Sequence, residues 1–361
     1  MKKILAILMA VILVVGMVAC SSNASTPAAD TSSADTSATT NTTDETKTED
    51  TAKDEAKTLK IGVCLDTIDS DFWVSTVASL EACAKENNVE MIQRLCEGDA
   101  NKQNQQVEDL IAQGADAIII GARDGAAIVA AVKKCNDAGV PTVMLSRAVM
   151  GEDVLPSLQV LVDNISLAEG TMEWIAKKGQ DEGHVYKTVL LVGSLGDQNA
   201  LERQQGHKAI LDKYPDVFDV VAEIPTDWKP EQAYAGLQNA YEKDPDIDLI
   251  ITPSDALLTT IKSVLEPMGK WVPADDPAHV SIVTFDGDKT FAEMMDQGYV
   301  DCGAVNDTRF MGEESMTWAV KLANGEKPNE LNSLDPGIVA TRDNWDEVKG
   351  DIWGYMAYQN D

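Results

Sequence analysis

Basic residues are scarce in this sequence. Lysine and arginine together number 29 against 60 aspartates and glutamates, and the formal net charge of the 361 residues is -31. Binding to nucleic acid requires clustered positive charge, because the neutralisation of phosphates supplies most of the affinity. The composition therefore argues against a nucleic-acid partner. It is typical of a soluble, self-repelling extracellular protein.

The sequence also lacks the motifs of common metal and catalytic sites. Its three histidines are scattered, and its six cysteines form no C-x-x-C pair. No nucleophile or phosphate-loop motif is present. We therefore expect no enzyme activity, no metal and no cofactor. The alternative class is an exported glycosidase that uses paired carboxylates, since acidic residues are plentiful.

The cysteines do not predict a disulfide framework. Five of them follow Cys20, an odd number, and sequence alone cannot give their pairing, although export would permit disulfides. We interpret them mainly as small buried apolar residues. They are Cys64, Cys83, Cys96, Cys135 and Cys302.

The apolar run at the start of the chain is too short to span a membrane. It covers residues 4–17 after two lysines, whereas a spanning helix needs about 20 apolar residues. A basic start, a short apolar run and a small residue before the cleavage site are typical of a secretory signal peptide. Val18-Ala19-Cys20 resembles the bacterial lipobox, although Met17 stands where leucine is most common. The resemblance implies removal of residues 1–19 and diacylation of Cys20.

The segment after this cysteine has the composition of a tether. Residues 21–57 contain no aromatic and no branched aliphatic side chain. Such a segment cannot bury enough apolar surface to offset the entropy of ordering. We interpret residues 20–57 as a disordered, solvated tether that keeps the folded body near the outer face of a membrane.

The body, from about residue 58 to residue 361, is long enough for two domains. Short Val, Ile and Leu runs alternate with segments in which apolar residues recur at helical spacing, which predicts parallel sheets covered on both faces. The fold class is therefore α/β, with two doubly wound, Rossmann-like domains. The first series has strands over 59–65, 90–95, 117–120, 141–145 and 159–162 and helices over 101–113, 126–136 and 168–178; the second has strands over 188–192, 217–224, 248–252, 280–285 and 300–305.

Polar and aromatic residues are concentrated directly after these strands. Ligands of doubly wound folds bind beyond the carboxyl ends of the strands, so these segments are the predicted site. Each residue alone is equally well explained as a helix cap or a turn residue, but as a set on one edge they indicate a site. The segments are 66–73, 121–125, 146–147, 163–164, 193–199 with Arg203, 226–228, 253–255, 285–287 and Asn306.

The chemistry that these residue types share is sugar recognition. A hydroxyl both donates and accepts, so a polyol is matched by carboxylates, guanidinium groups and amides. Phe72, Trp73 and Trp228 offer flat faces for the apolar side of a sugar ring. Trp73 also fits a core position on a helix, whereas Trp228 lies in a polar, proline-flanked loop.

Six short motifs, in order along the body, resemble one family. They are 60–63 leading into 71–73, then 109–120, 138–143, 162–164, 203–206 and 284–287. The family is that of the type I periplasmic sugar-binding proteins of ABC transporters, of the ribose-binding and galactose/glucose-binding kind. The resemblance implies the type I periplasmic-binding-protein fold, in which two domains are joined by a three-stranded hinge.

The family's binding roles can be carried over to individual residues. The resemblance implies that Phe72, Trp73 and Trp228 stack on the sugar, and that Arg147 and Arg203 bind hydroxyls. It further implies ligand contacts for the strand-end Asp286 and for Asn306. With the other strand-end residues, the candidate ligand-binding set is Asp69, Ser70, Phe72, Trp73, Arg123, Asp124, Ser146, Arg147, Asp163, Asn164, Asp197, Asn199, Arg203, Trp228, Ser254, Asp255, Asp286 and Asn306.

Three positions depart from the family pattern and limit the identification of a sugar. Ser146 stands where Asp or Asn often precedes the first-domain arginine, Ser254 stands where Asn often precedes an Asp, and Gly121 replaces an Asn. The segment 181–184 lacks the alternating oxygen ligands of the calcium loop found in galactose/glucose-binding members, so no metal is expected.

The resemblance also implies a mechanism and partners. Domain crossings are expected near 162–164, 303–306 and 334–338, so that residues 58–162 with 306–334 form one lobe and residues 163–305 with 338–361 form the other. A monosaccharide that contacts both lobes would shift an equilibrium between open and closed forms. We expect a lipid-anchored, extracytoplasmic monomer that delivers sugar to an ABC permease. The alternative partner is a chemoreceptor or sensor kinase, since the same fold serves both.

Overall fold

The computed structural model describes residues 57–359. These residues form two six-stranded sheets, each covered by helices on both faces. The predicted fold class, two doubly wound α/β halves, is confirmed. The predicted signal peptide, the predicted lipid-modified Cys20 and the predicted tether up to residue 56 lie outside the described residues.

Strands and helices alternate along most of the chain. The strands are β1 Lys60–Leu65, β2 Glu90–Leu95, β3 Ala117–Ile120, β4 Thr142–Ser146, β5 Leu158–Val162, β6 Tyr186–Val192, β7 Phe218–Pro225, β8 Leu249–Ile251, β9 Ser281–Asp286, β10 Cys302–Val305, β11 Asn332–Asp335 and β12 Ile338–Thr341. The helices are α1 Asp71–Glu86, α2 Ala100–Ala112, α3 Val129–Ala138, α4 Asn164–Glu182, α5 Gln198–Lys213, α6 Pro230–Lys243, α7 Leu258–Leu265, α8 Lys289–Asp296, α9 Thr308–Ala323, α10 Trp345–Val348 and α11 Trp353–Gln359.

The two sheets have matching strand orders. The first is β11-β5-β4-β3-β1-β2 and the second is β12-β10-β9-β8-β6-β7. All pairings within them are parallel except that of β10 with β12, which is antiparallel. We call the halves built on these sheets the first lobe and the second lobe. Because the strands are parallel, their carboxyl ends lie along one edge of each sheet.

The chain passes between the lobes at three places. It leaves the first sheet after β5 and enters α4, which packs on β10 and β12 of the second sheet. After β10 it returns through α9, which packs on α1, β3, β4 and β5. The short link from β11 to β12 crosses again. The family resemblance places its crossings near 162–164, 303–306 and 334–338.

The helix boundaries follow local capping. The predicted helix over 168–178 is longer, because the Asp163 side chain accepts a hydrogen bond from Ser166 N and caps α4 at Asn164. Its other end is set by Gly183, whose φ of 64° is the left-handed conformation that glycine adopts without strain. The predicted helix over 126–136 instead starts at Val129, because Asp124 first caps a turn at Ala126 and Ala127.

The core lies on both faces of each sheet and contains the cysteines. The central strands β1, β3, β4 and β9 are almost wholly buried, as expected for parallel strands covered on both faces. The five cysteines of the described residues are free and buried, which agrees with their interpretation as small apolar residues. Within residues 57–359, no helix is both long and apolar enough to cross a membrane.

Candidate functional site

A cavity of about 400 Å³ lies where the carboxyl ends of the two sheets face each other. Both lobes line it, and its volume is within the range of small-molecule sites. Two more open depressions, of about 540 and 610 Å³, each belong to the outer surface of a single lobe. We take the cavity between the lobes, called the cleft below, as the candidate site, because charged and aromatic side chains from many strand ends converge there.

Thirteen of the eighteen predicted ligand-binding residues line the cleft. The first lobe supplies Asp69, Ser70, Phe72, Trp73, Arg123, Ser146 and Arg147, and the second lobe supplies Asp197, Asn199, Arg203, Trp228, Ser254 and Asp286.

In the first lobe, Asp66 holds two arginines together. It follows β1, and its Oδ1 accepts hydrogen bonds from Gly98 N at 2.9 Å and from the Cys96 thiol at 3.4 Å. Its Oδ2 lies 3.4 Å from Nη1 of Arg147 and 3.6 Å from Nη1 of Arg123. One buried carboxylate therefore fixes both guanidinium groups at the edge of the first sheet.

Two aromatic rings form the adjoining wall. Phe72 and Trp73 begin α1 and meet edge to face with ring centroids 5.2 Å apart, while the Arg147 guanidinium lies 5.4 Å from the Trp73 ring centroid. A Cβ at Gly121 would lie 3.0 Å from the Trp73 ring and 2.9 Å from Leu65. The replacement of the family's Asn at position 121 therefore has a steric explanation, since the indole takes up that space.

In the second lobe, a buried ion pair forms the floor of the cleft. Arg203 Nη1 lies 2.9 Å from Asp286 Oδ1 and donates to Pro253 O, while its Nε donates to Asn164 Oδ1 at 2.9 Å. The guanidinium also lies 3.7 Å from the Phe285 ring centroid. Both charges are almost fully buried, so each depends strongly on the other.

Trp228 is fixed from two sides. Its indole Nε1 donates to Asp197 Oδ2 at 3.1 Å, and its backbone has a φ of 61°. A Cβ at Gly193 would lie 2.4 Å from the indole, so only glycine allows the ring to lie against the end of β6. The ring is thus fixed where it lines the cleft.

The lobes contact each other directly across the cleft. Arg147 Nε lies 2.8 Å from Asp197 Oδ2, and Arg123 Nη2 donates to Asp227 Oδ1 at 3.3 Å. Asn199 Nδ2 also donates to Ser146 Oγ at 3.2 Å.

At the mouth of the cleft, the two backbones touch. Gly125 N donates to Gly196 O at 3.2 Å, and a Cβ at Gly196 would lie 2.8 Å from Asp124 Oδ2.

Five predicted residues lie beside or behind the cleft and do not line it. Asp124 and Asp163 act as helix or turn caps, as the alternative interpretation of such residues holds. Asn164 and Asn306 hydrogen-bond to Arg203 and Asp286, respectively, from behind. The fifth, Asp255, is fully buried and accepts from Thr284 Oγ1 and the amides that follow β9. These residues position the lining side chains.

The cleft also contains residues that the candidate set omitted. Asp66 and Asp227 stand in the strand-end segments of the sequence, but their importance comes from pairing with arginines that are distant along the chain. Glu97 and Gly98 follow β2, an edge strand, and lie outside the strand-end segments predicted to form the site. The omitted residues that line the cleft are Asp66, Thr67, Glu97, Gly98, Asp227, Lys229, Pro230, Ala256 and Leu257.

Behind the floor lies a cluster of buried carboxyl groups. Burial raises the pKa of Asp286, although the Arg203 charge opposes this, and burial together with the neighbouring Asp288 and Asp286 charges raises that of Asp255 well above its usual value. Burial raises the pKa of Asp288 to about 7. No group of three or more His, Cys, Asp or Glu side chains in residues 57–359 is placed to hold a metal ion.

Asp288 makes the stability of the protein depend on pH. Its pKa in the folded state, about 7, exceeds the usual value of about 3.9 in an unfolded chain, so the folded state binds the extra proton between these values. The free energy of unfolding should therefore fall as pH rises from 4 to 7. Asp288→Asn keeps the cap on Phe291 N but removes this titration.

We expect wild type and Asp288→Asn to be about equally stable at pH 4. At pH 8 the variant should be the more stable, by up to about 4 kcal/mol, the equivalent of a three-unit pKa shift. Urea unfolding at several pH values measures this difference. A difference that does not change between pH 4 and pH 8 would contradict the assignment.

Two α/β lobes with a polar, aromatic-lined cleft at their strand ends define a class of binding proteins that enclose a small ligand. The sequence profile described as the periplasmic binding protein domain matches residues 61–327. This chain therefore belongs to the periplasmic binding protein family. Its curated relatives are transport binding proteins, so the chain is a binding protein and not an enzyme.

Two of the relatives are named for a sugar or a polyol. The ribose import binding protein of Bacillus subtilis is 26% identical over 271 residues, which cover 75% of this chain and 84% of that protein. The xylitol-binding protein of Mycolicibacterium smegmatis is 26% identical over 269 residues, which cover 74% of this chain and 70% of that protein.

Solved structures share the fold. A solute-binding protein of an ABC transporter from Bacillus halodurans, with bound myo-inositol, superposes with a TM-score of 0.73 at 24% identity and covers 82% of this chain and 99% of its own. A galactofuranose-binding protein gives a TM-score of 0.74 at 17% identity, with coverage of 84% and 99%.

Proposed function

We propose that this chain is a lipid-anchored, extracytoplasmic binding protein that captures a monosaccharide and delivers it to an ABC permease. The observation that carries the proposal is the cleft, where guanidinium and carboxylate groups of both lobes converge beside two indole rings. The names of the curated relatives, which include binding proteins for ribose, apiose and xylitol, support a sugar or polyol ligand.

The ligand contacts that we propose use the groups left over from the internal pairs. The protein contacts of Arg147 described above use Nε and Nη1, and those of Arg203 use Nε and Nη1. We assign the Nη2 groups to sugar hydroxyls, with Asp197 and Asp286 as acceptors. The faces of Trp73 and Trp228 would cover the apolar side of the ring. An epimer would leave a buried polar group unpaired, at a cost of about 1 to 3 kcal/mol.

Capture would work by closure of the two lobes about the three crossings. A sugar that contacts both lobes favours the closed form by its differential affinity for that form. The cross-cleft contacts of Arg147 with Asp197 and of Asn199 with Ser146 support this mechanism, because they need the lobes to be close. The protein would act as a monomer held near the permease by Cys20 and the tether.

A thermal-shift screen of residues 57–361 tests the ligand class. A ligand at 100 times its dissociation constant stabilises the folded state by about 2.7 kcal/mol, and we expect a pentose, hexose or inositol to raise the melting temperature by about 5 °C. If an amino acid or nucleoside raised it and no sugar did, the proposed ligand class would be wrong.

Trp228→Ala should weaken sugar binding about 30-fold, as the truncation of a buried aromatic anchor does. The variant removes one ring face and the indole N–H that fixes Asp197. Calorimetric titration measures the loss. Trp271→Ala, which removes an indole that stacks on Tyr299 outside the cleft, is the matched control and should bind as wild type does. Equal affinities of the two variants would contradict the assigned site.

A further inference from the structure

Each positively charged side chain that lines the described cleft already has a carboxylate partner. Arg147 pairs with Asp197 at 2.8 Å and with Asp66 at 3.4 Å. Arg203 pairs with Asp286 at 2.9 Å.

At the mouth of the cleft, Asp227 takes two partners at once. Its Oδ1 lies 3.3 Å from Arg123 Nη2 and its Oδ2 lies 2.8 Å from Lys229 Nζ. The donors of these cations remain available to a ligand, but their charges are compensated.

The lining as a whole is negative. Six carboxylates and four cations line the cleft, and one of the carboxylates, Glu97, is paired with Lys102 outside the lining, so one net negative charge remains. His207, which lies one helical turn after Arg203, adds no positive charge, because burial and the Arg203 charge lower its pKa to about 3. The whole chain adds a formal charge of -31, which repels anions at long range.

We propose that the cleft selects uncharged sugars and rejects sugar acids and sugar phosphates, and that Asp227 is a specificity-determining residue in this selection. The inference rests on the proposed function and names the substrate class of the same site. Neutral hydroxyls can accept from a compensated guanidinium without disturbing its ion pair. A ligand carboxylate or phosphate on the same donors would lie beside the protein carboxylates that already compensate these cations, and it would be repelled by them.

Asp227 is the residue through which this selection can be tested with least disturbance. It is part-exposed at the cleft mouth, whereas Asp66, Asp197 and Asp286 are buried. Burial acts to raise its pKa, but hydrogen bonds from Lys229 and Ser194 and the Arg123 charge hold the pKa below its usual value, so it is ionised at neutral pH. Its φ of 50° is tolerated by asparagine, so Asp227→Asn can keep the backbone while it removes the carboxylate charge that Arg123 and Lys229 share.

The test is calorimetric titration with matched neutral and anionic ligands: glucose and glucuronate, galactose and galacturonate, ribose and ribose 5-phosphate. For the sugar that binds, we expect wild type to bind the anionic form about 100-fold more weakly, because like charges placed together cost several kcal/mol. Asp227→Asn should improve binding of the anionic form about tenfold at low salt, and the gain should shrink as salt is raised.

The control is Asp246→Asn, which removes one negative charge from an exposed position away from the cleft and should leave the ratio of affinities unchanged. Asp227→Ser gives the same comparison if the asparagine variant does not fold. If the affinity of wild type for an anionic sugar were within threefold of its affinity for the matched neutral sugar, the proposed selection would be overturned. An equal response of the Asp227 and Asp246 variants would overturn the role of Asp227. Failure of every neutral sugar to bind would instead refute the proposed function.

Discussion

Arg203→Ala should abolish sugar binding and reduce stability by about 3 to 5 kcal/mol at pH 8. The substitution removes one partner of a buried ion pair, which leaves Asp286 as an uncompensated charge in the floor of the cleft. It also removes the donors to Asn164 and to Pro253 O, so the links between β8, β9 and α4 are lost together. Urea unfolding and calorimetric titration measure the two effects.

The loss of stability caused by Arg203→Ala should increase with pH. Without Arg203, the pKa of Asp286 rises further, because burial is no longer opposed by the guanidinium charge. The folded variant then takes up a proton that the unfolded chain does not hold, and this contribution to stability is lost as pH rises. The variant should therefore be less impaired at pH 5 than at pH 8.

A double variant separates the effect of the buried charges on stability from the effect of packing. Arg203→Leu combined with Asp286→Asn removes both charges, so stability should recover to within about 1 to 2 kcal/mol of wild type while binding stays absent. Arg94→Ala is the control, because Arg94 does not line the cleft and its guanidinium donates to Gln113, and it should change neither quantity. If Arg203→Ala were as stable as Arg94→Ala at pH 8, the ion pair would not have the importance assigned to it.

Much of the architecture could be predicted because strand ends in parallel sheets share one edge. The strand over 117–120 was predicted with the bounds that the structure has, and the segments after β1, β4, β6 and β9 all reach the cleft. Single-residue roles were less predictable. Asp255 has the residue type and the position of a ligand contact, but the amides after β9 turn its carboxylate inward.

The rest of the site depends on contacts between distant parts of the chain. Nothing local to Asp66 indicates that it holds Arg123 and Arg147, since the pairing requires the positions of three strands. Asp227 is likewise explained by an arginine on the other lobe. Sequence patterns report which face or edge a residue occupies, whereas charge compensation is a property of the assembled cleft.

Gly196→Asp should prevent full closure and weaken sugar binding about 30-fold, the equivalent of about 2 kcal/mol against the closed form. A Cβ at this position would lie 2.8 Å from Asp124 Oδ2, and the added carboxylate would repel the Asp124 charge across the mouth of the cleft. Asp124 cannot easily move away, because its Oδ1 caps Ala126 N and Ala127 N. The hydrogen bond from Gly125 N to Gly196 O should be lost.

Gly350→Asp is the matched control, because no atom lies within 4 Å of a Cβ placed there and its φ is outside the left-handed region, as is that of Gly196. Small-angle X-ray scattering should show a sugar-induced decrease in the radius of gyration for wild type and Gly350→Asp, and little decrease for Gly196→Asp. Both variants add one carboxylate to the surface, so a difference between them reports the contact and not the charge. Tight binding with full compaction in Gly196→Asp would show that the contact between the two loops is not needed to close the cleft.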